Sequence, residues 1–244
     1  EYNTMPVKFN VNKAIELFNQ KGGNTKFDKS LRQVLSFMQN DDNLSNKKEV
    51  AYFLATAKVE SDYSLQRWEA DYLCGDKGVP YQGKPCQRAL DYYRSSDGKA
   101  NYYSKGVDST GVPYFGRGLI QLTHNYNYDK YGKKIGVDLL DDGDKALQPE
   151  NSYKIASEYL DNRTFKYVNR DNLTQARKSV NGGTKGVNDT NREYEMWLNI
   201  LDNPALKFES IFWTKKKRIL FGGLLIVSLA IGGYFIYKGI KAKK

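Results

Sequence analysis

The stretch that most constrains this chain is Val50 to Tyr72, VAYFLATAKVESDYSLQRWEADY. Val50, Phe53, Leu54 and Ala57 recur at i, i+3, i+4 and i+7, which is one face of a helix. At about 100° per residue, Glu60 falls roughly 70° from the centre of that face. It is therefore placed at the edge of the buried stripe. A carboxyl there loses hydration, and desolvation favours the protonated form that a general acid must hold. Glu69 follows on a polar segment beside Arg67 and Trp68, a setting that keeps a carboxylate ionised and suits a base. Two carboxyls whose surroundings favour opposite protonation states form an acid/base pattern. The plainer reading stays open at this point, because Glu is a good helix former and is ordinarily solvated at a helix end.

The rest of residues 1–210 reads as mainly helical. Helices are expected over Asn12 to Gln20, Ser30 to Gln39, Ser152 to Leu160 and Leu173 to Val180, the last stopped by Asn181-Gly182-Gly183. Asn46 and Glu49 resemble a capping box for the helix that ends at Glu60. Thr190 and Glu193 resemble a second, ahead of the apolar face Tyr194, Trp197, Leu198 and Leu201. Ser61 to Pro113 is rich in Gly and Tyr and reads as loops with a short hairpin or two. Thr123 is placed to cap a helix running to about Ile135. The acidic loop at Asp141 to Asp144 does not have EF-hand spacing, and with His124 the one His, no metal or other cofactor is expected.

The net charge of +10 raises nucleic acid or a membrane surface as partners. Residues 215–244 hold eight of the 38 Lys and Arg and no acid, leaving 30 basic against 28 acidic side chains before them. The main domain is thus nearly neutral, and a nucleic-acid role is not expected. Cys74 and Cys86 flank a Gly/Pro-rich loop that allows a local disulfide; two unpaired thiols fit equally well. EYNTMPVKFN has no apolar core, so no N-terminal signal peptide is expected in this sequence.

Ile219 to Tyr237 runs nineteen residues without a charge. As a helix it would extend about 28 Å, against a bilayer core of about 30 Å. Trp213 and Tyr237 sit near its ends, as interfacial aromatics do. The expected organisation is a domain at 1–210, a basic juxtamembrane segment at 211–218, a transmembrane helix at 219–240 and a basic tail at 241–244. Four basic residues lie on each side, so charge gives no orientation.

Several motifs also resemble a known family. YFGRGLIQLTHNYNY, at Tyr114 to Tyr128, is close to the YGRGPIQLxxNYNYG signature of glycoside hydrolase family 19, the plant-type chitinases and related bacterial and phage lysins. A helix ending in Glu60, a second Glu nine residues later, and SVNGG ahead of an Arg-bearing helix fall in the family's order. The resemblance covers about Asn46 to Leu201. It implies a mainly α (α+β, lysozyme-like) fold, two-lobed with a central cleft, with the C-terminal transmembrane helix added. It further implies Glu60 as general acid, Glu69 as the base that activates water, and Thr123 as a holder of that water. Gln121, Asn127 and Asn181 match sugar-binding positions, Arg192 an Arg near the second carboxylate, and Tyr114 and Arg117 the cleft wall. The family inverts, and inverting pairs stand about 6.5–9.5 Å apart to admit water. Val59 and Ser61-Asp62 replace the residues the family usually has around the acid, and Leu119 replaces its Pro.

The function these features imply is a membrane-anchored glycosidase cutting β-1,4 bonds of peptidoglycan, with chitin as the alternative substrate. A non-catalytic wall-binding or structural membrane protein is the competing class. The expected partners are the polysaccharide, a lipid bilayer and other membrane or virion proteins. The expected location is a membrane, through a single C-terminal span, in a virion or a bacterial envelope; export behind a removed N-terminal signal and arrival from outside the wall both stay open.

Overall fold

The computed structural model describes residues 7–69, 87–94 and 107–209. Nine α-helices lie among them: α1 (Val11–Gln20), α2 (Asp28–Met38), α3 (Lys47–Ser61), α4 (Gln87–Arg94), α5 (Asn125–Ile135), α6 (Pro149–Arg163), α7 (Phe165–Val168), α8 (Leu173–Asn181) and α9 (Val187–Leu201). Among the described residues there is no strand, only four isolated β-bridges, so the β part of the α+β expectation reduces to single pairings. No described helix is long and apolar enough to cross a membrane. Ile219 to Tyr237, Cys74 and Cys86 lie outside the described residues.

The core is built around α3. Its residues Val50 to Ala57 are all fully buried, without a solvent face. A helix that is apolar all round belongs in the middle of a fold, and α9 packs along it. The single stripe read from the sequence is therefore too narrow a description. Glu60 is half-hidden because it lies on the last turn of a central helix as that helix leaves the core, not because it borders an amphipathic face. Asn46 caps α3 by accepting from Glu49 N at 3.1 Å, as expected. The Glu49 carboxylate reaches one residue further back than a capping box requires, to Ser45 N at 2.7 Å.

The exit from α3 is fixed firmly. Asp62 and Tyr63 both take positive φ, at 53° and 62°, which is costly for residues with a Cβ. Tyr63 is held by its neighbours: its hydroxyl accepts from Trp197 Nε1 at 3.0 Å, and Trp197 stacks on Phe18 at 5.3 Å. The turn aims the chain after Glu60 toward Glu69.

Three boundaries differ from the sequence reading. The helix after the signature begins at Asn125 behind His124, and Thr123 does not cap it. The Thr123 hydroxyl donates to Gln121 O at 2.8 Å instead. Helix α9 begins at Val187 behind Gly186, whose φ of 76° suits glycine, so Thr190 lies inside the helix and donates to Gly186 O at 2.9 Å. Helix α4 falls within the stretch expected to be loop.

Candidate active site

The signature loop folds back on itself and onto the segment carrying Glu69. Arg117 bridges Leu122 across a tight turn and Trp68 on its other side. Glu69 N donates to Gly116 O at 2.7 Å, and Gly118 N to Arg67 O at 2.6 Å. The Glu69 carboxylate accepts from Gly116 N at 3.3 Å. The two glycines are needed for this approach. A Cβ on Gly116 would sit 3.1 Å from Gln121 Oε1, and one on Gly118, at φ 74°, would meet Ser152 Oγ at 2.7 Å.

The same loop is tied to the end of α3. Ser61 Oγ donates to Leu119 O at 2.9 Å, and Leu119 N donates to Ser152 Oγ at 2.9 Å. The second bond gives a physical reason for Leu119 in this chain, since proline has no N–H to donate. Glu60 and Glu69 are thereby anchored to one loop from two directions.

Between these elements lies a cleft of about 850 Å³. Glu60, Glu69, Gln121, Thr123, Asn127 and Asn181 all line it. Six of the nine residues singled out from the sequence are thus brought together. Their polar groups are partly engaged. Gln121 Nε2 donates to Gly118 O at 2.9 Å, Asn127 Nδ2 to Thr123 O at 2.8 Å, and Asn181 Nδ2 to Lys185 O at 2.7 Å. These bonds hold the side chains in place and leave Gln121 Oε1 and Asn127 Oδ1 for a ligand, whereas Asn181 Oδ1 already accepts from Gly183 N at 2.9 Å.

The other three lie elsewhere. Arg117 is buried under the loop: Nε pairs with Asp144 at 2.8 Å, Nη1 donates to Tyr128 Oη at 2.9 Å, and the guanidinium stacks 3.9 Å from the Phe115 ring. It braces the wall from behind and does not face the cleft. Tyr114 is also buried, donating its hydroxyl to Leu140 O at 2.8 Å. Arg192 is on the open side of α9, with its side chain 69% exposed and paired with Asp189 at 3.0 Å.

The arginine that does meet a cleft carboxylate is Arg177, on α8. Its Nη1 donates to Glu60 Oε1 at 2.5 Å, and its Nε to Lys185 O at 2.9 Å. Its side chain is only 5% exposed. The surroundings of Glu60 are therefore not purely desolvating, as its helix position suggested; a guanidinium stands against one oxygen. Among the described residues Glu60 Oε2 has no hydrogen bond, which leaves it to the cleft. Arg177 could have been found from the sequence, because it precedes Asn181 by four residues and so shares its helix face.

Other lining residues went unmarked. Tyr126 is 64% exposed and stacks on His124 at 5.3 Å, presenting an aromatic face of the kind that packs on sugar rings. Tyr159 and Arg163 come from the end of α6, with Ile120, Leu122 and Val180 adding apolar wall. Beneath Glu60, the side chains of Tyr52 and Thr56 are fully buried and lie within reach of one another. Burial pushes the Tyr52 phenol far up, so it stays neutral. Among the described residues no cluster of His, Cys, Asp and Glu could hold a metal. The Asp141–Asp144 carboxylates are engaged locally, Asp141 with Ser109 and Lys145 and Asp144 with Arg117.

The family model Glyco_hydro_19, described as chitinase class I, matches residues 23–160. Endochitinase B of Nicotiana tabacum is 33% identical over 132 residues, covering 53% of this chain and 37% of that protein. Endochitinase 1 of Theobroma cacao is 37% identical over 123 residues, covering 50% of this chain and 35% of that protein. This chain thus spans a little over a third of the length of those relatives. Chitinase C from Streptomyces griseus HUT6037 has a similar fold, with a TM-score of 0.52 at 20% identity, over 78% of this chain and 75% of that one.

Proposed function

Because this chain belongs to glycoside hydrolase family 19, the class I chitinase family, we propose that it is a glycosidase that hydrolyses β-1,4 bonds between N-acetylated amino sugars with inversion. The observation that carries this reading is that Glu60 and Glu69, on separate segments, line one cleft with Gln121, Thr123, Asn127 and Asn181. In this mechanism Glu60 gives its proton to the glycosidic oxygen as the bond to the anomeric carbon breaks. Glu69 takes a proton from a water that attacks that carbon from the opposite face. Thr123, on the loop that binds Glu69, steadies the water. Arg177 fixes Glu60 Oε1 and so directs Oε2 at the leaving oxygen, which is positioning and not proton transfer.

Peptidoglycan is the proposed polymer. The support is the basic-flanked apolar run at Ile219 to Tyr237, which would keep the domain at a membrane facing a cell wall. A membrane-containing phage particle would bring such a domain to the wall from outside. Chitin is the second reading, favoured by relatives that are named endochitinases. The test is turnover of the purified full chain on peptidoglycan and on chitin oligomers, with Glu60→Gln as control. The reading expects release of reducing ends by the wild type and loss of at least a hundredfold in the variant, with saccharide binding kept. Wild-type binding without turnover would instead support a wall-binding protein.

A further inference from the structure

We propose that Arg163 selects a carboxylate-bearing glycan over neutral chitin. Arg163 is the last residue of α6 and lines the same cleft as Glu60 and Glu69. Its Nη1 donates to Tyr159 Oη at 2.8 Å, and its guanidinium carbon stands 4.8 Å from the Tyr159 ring centroid. Tyr159 is itself fixed, because its hydroxyl donates to Val180 O at 3.0 Å. The guanidinium is therefore held at the cleft wall with only part of its fork in use.

What it lacks is an anion. Arg117, Arg177 and Arg192 pair with Asp144, Glu60 and Asp189 respectively, whereas Arg163 has no ion pair among the described residues. Glu158, on the same helix, is already paired with Lys134 at 2.6 Å. A fixed, partly buried guanidinium in a saccharide cleft offers nothing special to a chain of N-acetylglucosamine, which is neutral throughout. It is well suited to a carboxylate, which a guanidinium binds through two parallel hydrogen bonds. Peptidoglycan supplies carboxylates from two places, the lactyl group when its peptide is absent and the stem peptide when it is present. The inference rests on the cleft being the polysaccharide site, and it names the chemical feature by which that site tells one polymer from the other.

The experiment measures binding, so that it does not depend on turnover. In the Glu60→Gln background of the full chain, Arg163 and Arg163→Gln are compared on three probes. These are chitin oligomers, peptide-stripped peptidoglycan strands with free lactyl carboxylates, and strands that keep their stems. The expected result is a rise in Kd of roughly ten- to hundredfold on a carboxylate-bearing probe relative to chitin oligomers. A selective rise on stripped strands assigns the contact to the lactyl group, and one confined to stem-bearing strands assigns it to the peptide. Arg163→Lys should restore part of the loss, and the preference should shrink with added salt. Equal loss on all three probes, or none on any, would overturn the proposal, since a purely structural Arg163 would act without regard to charge. If Glu60→Gln left turnover intact while this selectivity stood, the acid assignment would fail and the selectivity would not.

Discussion

Replacing Arg177 by Met separates the positioning of Glu60 from its chemistry. The substitution keeps most of the side-chain volume and removes two hydrogen bonds, to Glu60 Oε1 at 2.5 Å and to Lys185 O at 2.9 Å. Breaking a fully buried ion pair costs about 3–5 kcal/mol. The Glu60 side chain is 18% exposed, so solvent screens part of that, and a coupling of about 2 kcal/mol is a fairer figure. Orphaning the Lys185 carbonyl adds about 1 kcal/mol. The total of about 3 kcal/mol corresponds to a fall in Tm of roughly 6–12 °C for a domain of this size. The assay is a double-mutant cycle with Glu60→Ala, followed by thermal and urea unfolding. The account expects Arg177→Met and Glu60→Ala to be non-additive by about 2 kcal/mol, and kcat in Arg177→Met to fall roughly ten- to hundredfold with a smaller change in KM. Additivity within about 0.5 kcal/mol would refute the claim that the two side chains act as a unit.

Other consequences follow from single contacts. Leu119→Pro, which restores the residue the family usually carries, removes the donor to Ser152 Oγ and should cost about 1 kcal/mol in urea unfolding. Asp41 governs a pH effect. Burial raises its pKa despite the hydrogen bonds it accepts from Tyr153 and Ser157, and burial acts in the same direction on Asp161 and Glu193. A carboxyl with a raised folded pKa binds its proton more tightly when folded. The protein therefore loses stability as pH rises from the unfolded value, about 4, through the raised one. Asp41→Asn should flatten that slope in urea midpoints measured across the window; an unchanged slope would assign it to other groups.

Much of the architecture was legible because it is local. The 3.6-residue period and the Asn46 cap found α3, and the glycines of the signature marked a backbone that comes within 3 Å of Glu69 N. What stayed hidden depends on distant packing. The periodicity of α3 suggested one apolar face, but polar Thr56 and Tyr52 are as buried as Phe53, since the helix is enclosed by the rest of the fold. Arg117 and Tyr114 sit within the most recognisable motif and were expected in the cleft wall; they are buried behind it, where Arg117 braces the loop. Arg192 and Arg177 both flank the same Asn-Gly-Gly turn, and local pattern does not say which helix face meets the cleft. The short α7, and the first turn of α9 behind Gly186, carry no periodic signal.

The account turns on two carboxylates working from opposite sides of one anomeric carbon. Proton NMR of the first reducing ends released from a β-linked substrate, recorded before mutarotation, tests this directly. Two carboxyls with room for a water between them must give the α-anomer. Initial release of the β-anomer would mean that no such water attacks, and the roles given to Glu60 and Glu69 would be contradicted.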